Sequence, residues 1–196
     1  DSLSSTNRFG SRHQPAHQLG AHVHHPIAIH HPRHHLLAPR RAAPIVHRHA
    51  IARWHFDMVA DELRNDLYDG AIARAVVEMK AIRPDGRVSV VDFGTGSGLL
   101  AMMAARAGAT RVTGFDHSGH IVEVAERVVK ANGFGKSIKC IKKDCRHIEM
   151  GRDLPDRCDI LIMELFDYGF LGEGALHFAH LAWNNVLKED ARIVPC

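Results

Sequence analysis

Four short apolar runs mark the middle of the chain, at residues 88–93, 111–116, 137–142 and 158–164, and the stretches between them carry apolar positions at helical spacing. Runs this short suit strands buried on both faces, and strands that alternate with helices predict a parallel sheet covered on both sides. Ahead of the first run, Val59, Leu63, Leu67, Tyr68, Ile72, Val76 and Met79 recur through residues 57–79. That stripe predicts one amphipathic helix packed on the sheet. The fold class expected is α/β, a doubly wound, mostly parallel sheet.

The first run ends unlike the others, in Val88-Ser-Val-Val-Asp-Phe-Gly-Thr-Gly-Ser-Gly-Leu-Leu100. Gly94, Gly96 and Gly98 let the backbone turn sharply and approach a ligand with no Cβ in the way. A phosphate-binding P-loop needs Lys and Ser or Thr after its last glycine, but Leu99, Leu100 and Ala101 stand there. The dinucleotide fingerprint is G-x-G-x-x-G, whereas this loop reads G-x-G-x-G. The spacing resembles that of S-adenosylmethionine-dependent methyltransferases, whose ligand carries no phosphate.

Each run closes at or beside a carboxylate, namely Asp92, Asp116, Asp144 and Glu164. In an open parallel sheet the ligand lies outside the carboxyl ends of the strands, so these four acids are expected to line one crevice. Such a row repels phosphate and suits a sulfonium, an ammonium group and ribose hydroxyls.

Charge is unevenly placed. Residues 1–53 hold seven Arg and one acid, Asp1, for +6, while residues 54–196 hold 18 Lys and Arg against 21 Asp and Glu, for −3. The basic balance belongs to the N-terminal segment, so no direct nucleic-acid binding is expected of the domain. Residues 1–50, with eleven histidines between His13 and His49 and five prolines, lack hydrophobic periodicity and are expected to form a disordered tail. The tail lacks the Cys and fixed spacing of a zinc site, and no metal is expected. Its Arg-rich, nearly acid-free composition also suits an organelle import signal. Cys140, Cys145, Cys158 and Cys196 form no paired motif and read as reduced thiols. No run is long enough to span a bilayer, so no membrane partner is expected.

Arg64 interrupts the stripe of the first helix, and two roles are open to it: a surface pair with Asp61, or a planar fork holding a ligand carboxylate. The stretch Ile160-Leu-Ile-Met-Glu-Leu-Phe-Asp-Tyr-Gly-Phe-Leu-Gly-Glu-Gly-Ala175 is more telling. Glu164 directly follows the apolar stretch from Ile160 to Met163, where a charge is costly unless a cation meets it. Glu173 stands between two glycines at the start of a helix.

These segments, with Arg53-Trp-His-Phe-Asp-Met58, Asp61-Glu-Leu-Arg-Asn65 and Ala107-Gly-Ala109, resemble the protein arginine N-methyltransferases over about residues 51–195. The wording of the hairpin is nearest to the type III, monomethylating branch. The resemblance implies a Rossmann-like class I methyltransferase domain, S-adenosyl-L-methionine as cofactor, and arginine-containing protein substrates, histones among them, in the cytoplasm or nucleus. It implies Glu164 and Glu173 as the catalytic pair and Arg64 on the methionine carboxylate. Gly94, Gly96 and Gly98, with Asp92, lie beside the cofactor. It implies Asp116 on the ribose, Asp144 and Cys145 at the adenine, and Phe56 and Met58 walling the substrate channel. Arg146 stands where the family has Glu. Residues 51–196 are expected to be the cofactor-binding domain without the family's β-barrel and dimerisation arm, leaving dimerisation open. Two rival readings are another Rossmann-type methyltransferase, which needs no second glutamate, and a catalytically silent cofactor-binding fragment.

Overall fold

The computed structural model describes residues 53–167 and 172–195, so the expected tail at residues 1–50 lies outside the described residues. Helix α1 (Arg53–Ala60) is separated by one residue from α2 (Glu62–Ile82). The stripe read as a single helix is broken at Asp61. Its backbone is extended, and its carboxylate accepts a hydrogen bond from the Arg64 N–H at 3.0 Å, capping the open first turn of α2. Only the second half of α2 packs on the sheet, through Ile72, Ala75, Val76 and Met79. Leu63 and Leu67 are 73 % and 66 % exposed, contrary to the expectation that they face the core. The first half runs past the strand ends and carries Arg64 to the crevice.

Strands β1 (Ser89–Phe93), β2 (Arg111–Asp116), β3 (Ile138–Lys142) and β4 (Cys158–Met163) occupy the four apolar runs. A fifth, β5 (Leu187–Val194), was not expected. All pair in parallel in the order β3-β2-β1-β4-β5. The chain runs outward from β1 to β3, then crosses back to β4 and β5. The order therefore reverses between β1 and β4, which opens a crevice at their carboxyl ends.

Alternation along the strands sorts two cores. Val90, Val112, Ile160 and Ile162 face α2, α3 (Leu99–Arg106) and α4 (Gly119–Ala131), together with Leu100 and Val129. Val91, Phe93, Leu161 and Met163 face α5 (Ala175–Asn185) and the 144–157 segment on the other side. Strands buried on both faces read as continuous apolar runs, which is why β1 and β4 were legible. At the opposite end from the crevice, the fully buried Asp159 accepts hydrogen bonds from Ser89 N and Oγ, Arg83 Nε and Lys188 Nζ at 2.6–2.8 Å. That network ties α2 to β1, β4 and β5.

Candidate active site

The loop after β1 is folded back onto the end of β2. The N–H groups of Gly94 and Thr95 both donate to Phe115 O at 2.9 Å, and Gly96 N donates to Asp116 Oδ2 at 3.2 Å. All three loop glycines have positive φ, at 71°, 54° and 82°. A Cβ on Gly94 would lie 2.7 Å from Leu165 Cδ2, and one on Gly96 would lie 2.9 Å from His55 Cε1. These two glycines line the crevice. Gly98 does not: a Cβ there would lie 2.9 Å from Val129 Cγ2 of α4, so this glycine lets two helices approach rather than a ligand.

Asp92 is also corrected. It is 1 % exposed and stands behind the loop, where Oδ2 accepts a hydrogen bond from Thr95 Oγ1 at 2.7 Å. Its Oδ1 is buried with no hydrogen-bond partner of normal geometry. Burial pushes the carboxyl up to about 7, against the opposing Thr95 hydrogen bond and with the Asp116 charge adding to the rise. Asp92 therefore shapes the loop from below. Thr95 in turn occupies the space a side chain on Gly114 would need, since a Cβ there would fall within clash distance of Thr95 Oγ1.

Asp116 sits on the crevice wall with Oδ2 on Gly96 N and Oδ1 accepting from Ser118 N at 2.9 Å. Each oxygen keeps a lone pair for a further donor. Asp144 and Cys145 line the same wall. The Asp144 carboxylate is gripped by Arg146 through its backbone N–H and Nε at 2.9 and 3.0 Å and through its terminal nitrogen. Arg146 thus holds Asp144 well below the usual carboxylate range and neutralises it. Cys145 is buried, which pushes its thiol up to about 12.

Across the crevice, Arg64 does not pair with Asp61 through its side chain. One terminal nitrogen lies 3.1 Å from Glu164 Oε2, and the other donates to Asn65 Oδ1 at 2.9 Å. The guanidinium carbon lies 5.0 Å from the centroid of the Tyr68 ring, whose hydroxyl donates to Met163 O at 3.3 Å. Tyr68 therefore positions Arg64 against Glu164 at the very end of β4. Glu173 lines the same crevice. Partial burial and then the charges of Glu164 and Asp167 raise its pKa.

Met58 lines the crevice, but Phe56 is 60 % exposed and outside it. One residue on a helix is a rotation of about 100°, so the face of α1 that presents Met58 also presents His55, not Phe56. His55 rests over Gly96, and its burial lowers its pKa. Sequence reasoning missed this histidine although it lies in the quoted Arg53–Met58 segment; an i, i+3 comparison with Met58 would have found it. Thr95, too, was missed, because a threonine between glycines carries no periodic signal.

The crevice measures about 1320 Å³. Its strong cations are committed: Arg64 to Glu164, Arg146 to Asp144, and Lys143 to Glu149 and Asp153. The Asp116 lone pairs and the side-chain-free Gly94 and Gly96 fit a hydroxyl-bearing ligand that carries a cationic group.

Comparison with known proteins is consistent with this chemistry. The sequence model of the ribosomal protein L11 methyltransferase (PrmA) family matches residues 75–163, which takes in the glycine loop and stops one residue before Glu164. Protein arginine N-methyltransferase 7 of Drosophila grimshawi is 42% identical over 140 residues, covering 71% of this chain and 20% of that protein. The Aedes aegypti protein of the same name is 38% identical over 148 residues, covering 74% and 21%. The chain thus spans about a fifth of the length of the curated relatives it matches. Among solved structures, the Trypanosoma brucei PRMT1 enzyme–prozyme heterotetrameric complex with AdoHcy superposes with a TM-score of 0.64 at 31% identity, covering 73% of this chain and 42% of that one. Arabidopsis thaliana protein arginine methyltransferase 10 gives 0.62 at 28%, covering 71% and 37%.

Proposed function

The chain is a homologue of the protein arginine N-methyltransferases, and from that premise we propose that its crevice binds S-adenosyl-L-methionine and serves methylation of arginine in protein substrates. The observation that carries this is the guanidinium already docked on Glu164: Arg64 sits 3.1 Å from its carboxylate, with Glu173 on the same crevice. An acid that already accepts one guanidinium, with a second acid on the same crevice, suits a substrate guanidinium.

When bound, the cofactor supplies an electrophilic methyl on a sulfonium. Arg64 would turn from Glu164 to the carboxylate of the cofactor, Asp116 would accept hydrogen bonds from its ribose, and Asp144 and Cys145 would flank its adenine. Gly94 and Gly96 admit its backbone. Released from Arg64, Glu164 and Glu173 grip the substrate guanidinium through paired hydrogen bonds and aim one terminal nitrogen. Their charges also offset the repulsion between guanidinium and sulfonium, roughly 4 kcal/mol for unit charges about 4 Å apart at an effective dielectric of 20. Arginine is too basic to lose its proton beforehand. Transfer of the methyl would leave S-adenosylhomocysteine and methylarginine, and the proton shed by the guanidinium with or after the transfer would pass to Glu173.

The hairpin wording, which resembles the monomethylating branch, supports a single methyl per arginine. The test uses an arginine peptide and the chain fused to the remaining length of a curated relative. Glu164→Gln and Glu173→Gln should each cut methylation at least ~100-fold, and the double variant should lose little more because both acids act on one guanidinium. Mass spectrometry should find monomethylarginine alone. Methylation at the original rate in the double variant would end the arginine reading, and dimethylarginine would end the monomethylating one.

A further inference from the structure

A second cavity, of about 1110 Å³, lies where the first residues of β2 and β3 meet the end of α4 and residues 151–155, away from the crevice. Its floor is apolar, with Val112, Val129 and Ile138 almost fully buried, and its rim is cationic. Arg111, Lys130, Lys136 and Lys139 all line it, and none of the four makes an ion pair among the described residues. Of the two acids present, Asp153 is consumed by Lys143 and by the Glu149 N–H, which leaves Glu126 against the four cations. Residues 54–196 are net acidic, so a groove of this sign is a local concentration of charge rather than a sample of the surface.

The same groove follows an open strand edge. Among the described residues β3 has a neighbour on one side only, β2. The Ile138 N–H turns back to Phe134 O at 3.0 Å, and past it the backbone groups of β3 that β2 does not use are open to one more strand among the described residues. Gly133 and Gly151 line the groove, and among the described residues each has open space where a side chain would project.

We propose that the edge of β3 is a docking surface for an acidic, extended segment of a protein partner, which adds a strand through main-chain hydrogen bonds and sets its carboxylates among Arg111, Lys130, Lys136 and Lys139. The proposal stands apart from the methyltransferase reading, since no residue of the crevice is needed for it. Lysines on an open edge also guard against unwanted strand pairing, and the test must separate the two uses.

The chain would be titrated with a fluorescent Glu/Asp-rich peptide, a Lys-rich control of equal length and a single-stranded RNA, while hydrogen exchange is followed at residues 138–142. Expected are binding of the acidic peptide, slowed exchange along 138–142, and affinity reduced at least ~10-fold in Lys136→Glu/Lys139→Glu at an unchanged thermal midpoint. Should that variant unfold, Lys136→Gln/Lys139→Gln gives the same reading with less perturbation. Four results would overturn the proposal: no binding; binding that survives the charge reversal, which would move the contact to the Arg-rich residues 1–53; unchanged exchange at 138–142; or RNA bound more tightly than peptide.

Discussion

Arg64 is caught between two partners, and that makes it the sharpest place to test the crevice. In the structure its guanidinium is 3.1 Å from Glu164, and the two side chains are 17% and 22% exposed. Unit charges at that separation attract by roughly 5 kcal/mol at an effective dielectric of 20. Desolvation of two partly buried ions cancels most of this, leaving a net value on the order of 1 kcal/mol. A ligand carboxylate that takes over the fork gains a charged hydrogen bond worth about 1.5–3 kcal/mol. Arg64→Ala should therefore weaken adenosylhomocysteine binding by roughly 10- to 100-fold. Glu164→Gln removes the competitor instead, so it should bind the same ligand no more weakly than the unaltered chain, and up to ~5-fold more tightly. Adenosine, which has no carboxylate, should lose less than about two-fold in Arg64→Ala. Isothermal titration calorimetry at fixed pH and salt measures all three. If Glu164→Gln lost as much affinity as Arg64→Ala, or if adenosine suffered equally, Arg64 would be propping up the loop rather than exchanging partners.

Two further outcomes follow from the carboxylates. Asp116→Ala should weaken adenosylhomocysteine binding by ~1.5–3 kcal/mol, because it loses the ribose contact and also frees the Gly96 and Ser118 N–H groups; an unchanged calorimetric affinity would remove Asp116 from the ribose site. Asp92 binds its proton more tightly folded, at about 7, than unfolded, at about 4, so its stabilising contribution is full below the unfolded value and is lost as pH rises to 7. Urea denaturation across that window should show Asp92→Asn gaining stability relative to the unaltered chain as pH rises, and parallel profiles for the two would contradict the burial argument.

Much of the sheet was legible: β1 to β4 fell inside the four runs, most plainly β1 and β4, which are buried throughout, whereas β3, Ile-Lys-Cys-Ile-Lys, is an edge strand that buries only Ile138. β5 was not legible, since an edge strand of composition Leu-Lys-Glu-Asp-Ala-Arg-Ile-Val buries only Leu187, Ala191 and Val194 fully. The break at Asp61 was hidden by periodicity, which continues across a cap that costs only one residue of helix. Within the site, the strand-end acids Asp116, Asp144 and Glu164 do meet on one crevice, as the topology required. The errors were errors of direction. Gly98 and Asp92 lie in the right motif but point into α4 and beneath the loop, and Phe56 lies one residue from the side of α1 that faces inward. Sequence spacing gives proximity along an element, whereas the direction of a side chain depends on the pitch and ends of the element.

The contact between Thr95 and Gly114 makes two distant positions a single steric quantity. The loop is held in its curl by a threonine standing in a notch on the neighbouring strand, and the notch exists only because position 114 carries no side chain. Any bulk added to the middle of β2 would have to be taken out of the loop, and the threonine that left would release Asp92 as well. Strand β2 thus acts as a mould for the cofactor loop, and the shape of the crevice mouth is set from inside the sheet, by a residue that no ligand need ever touch.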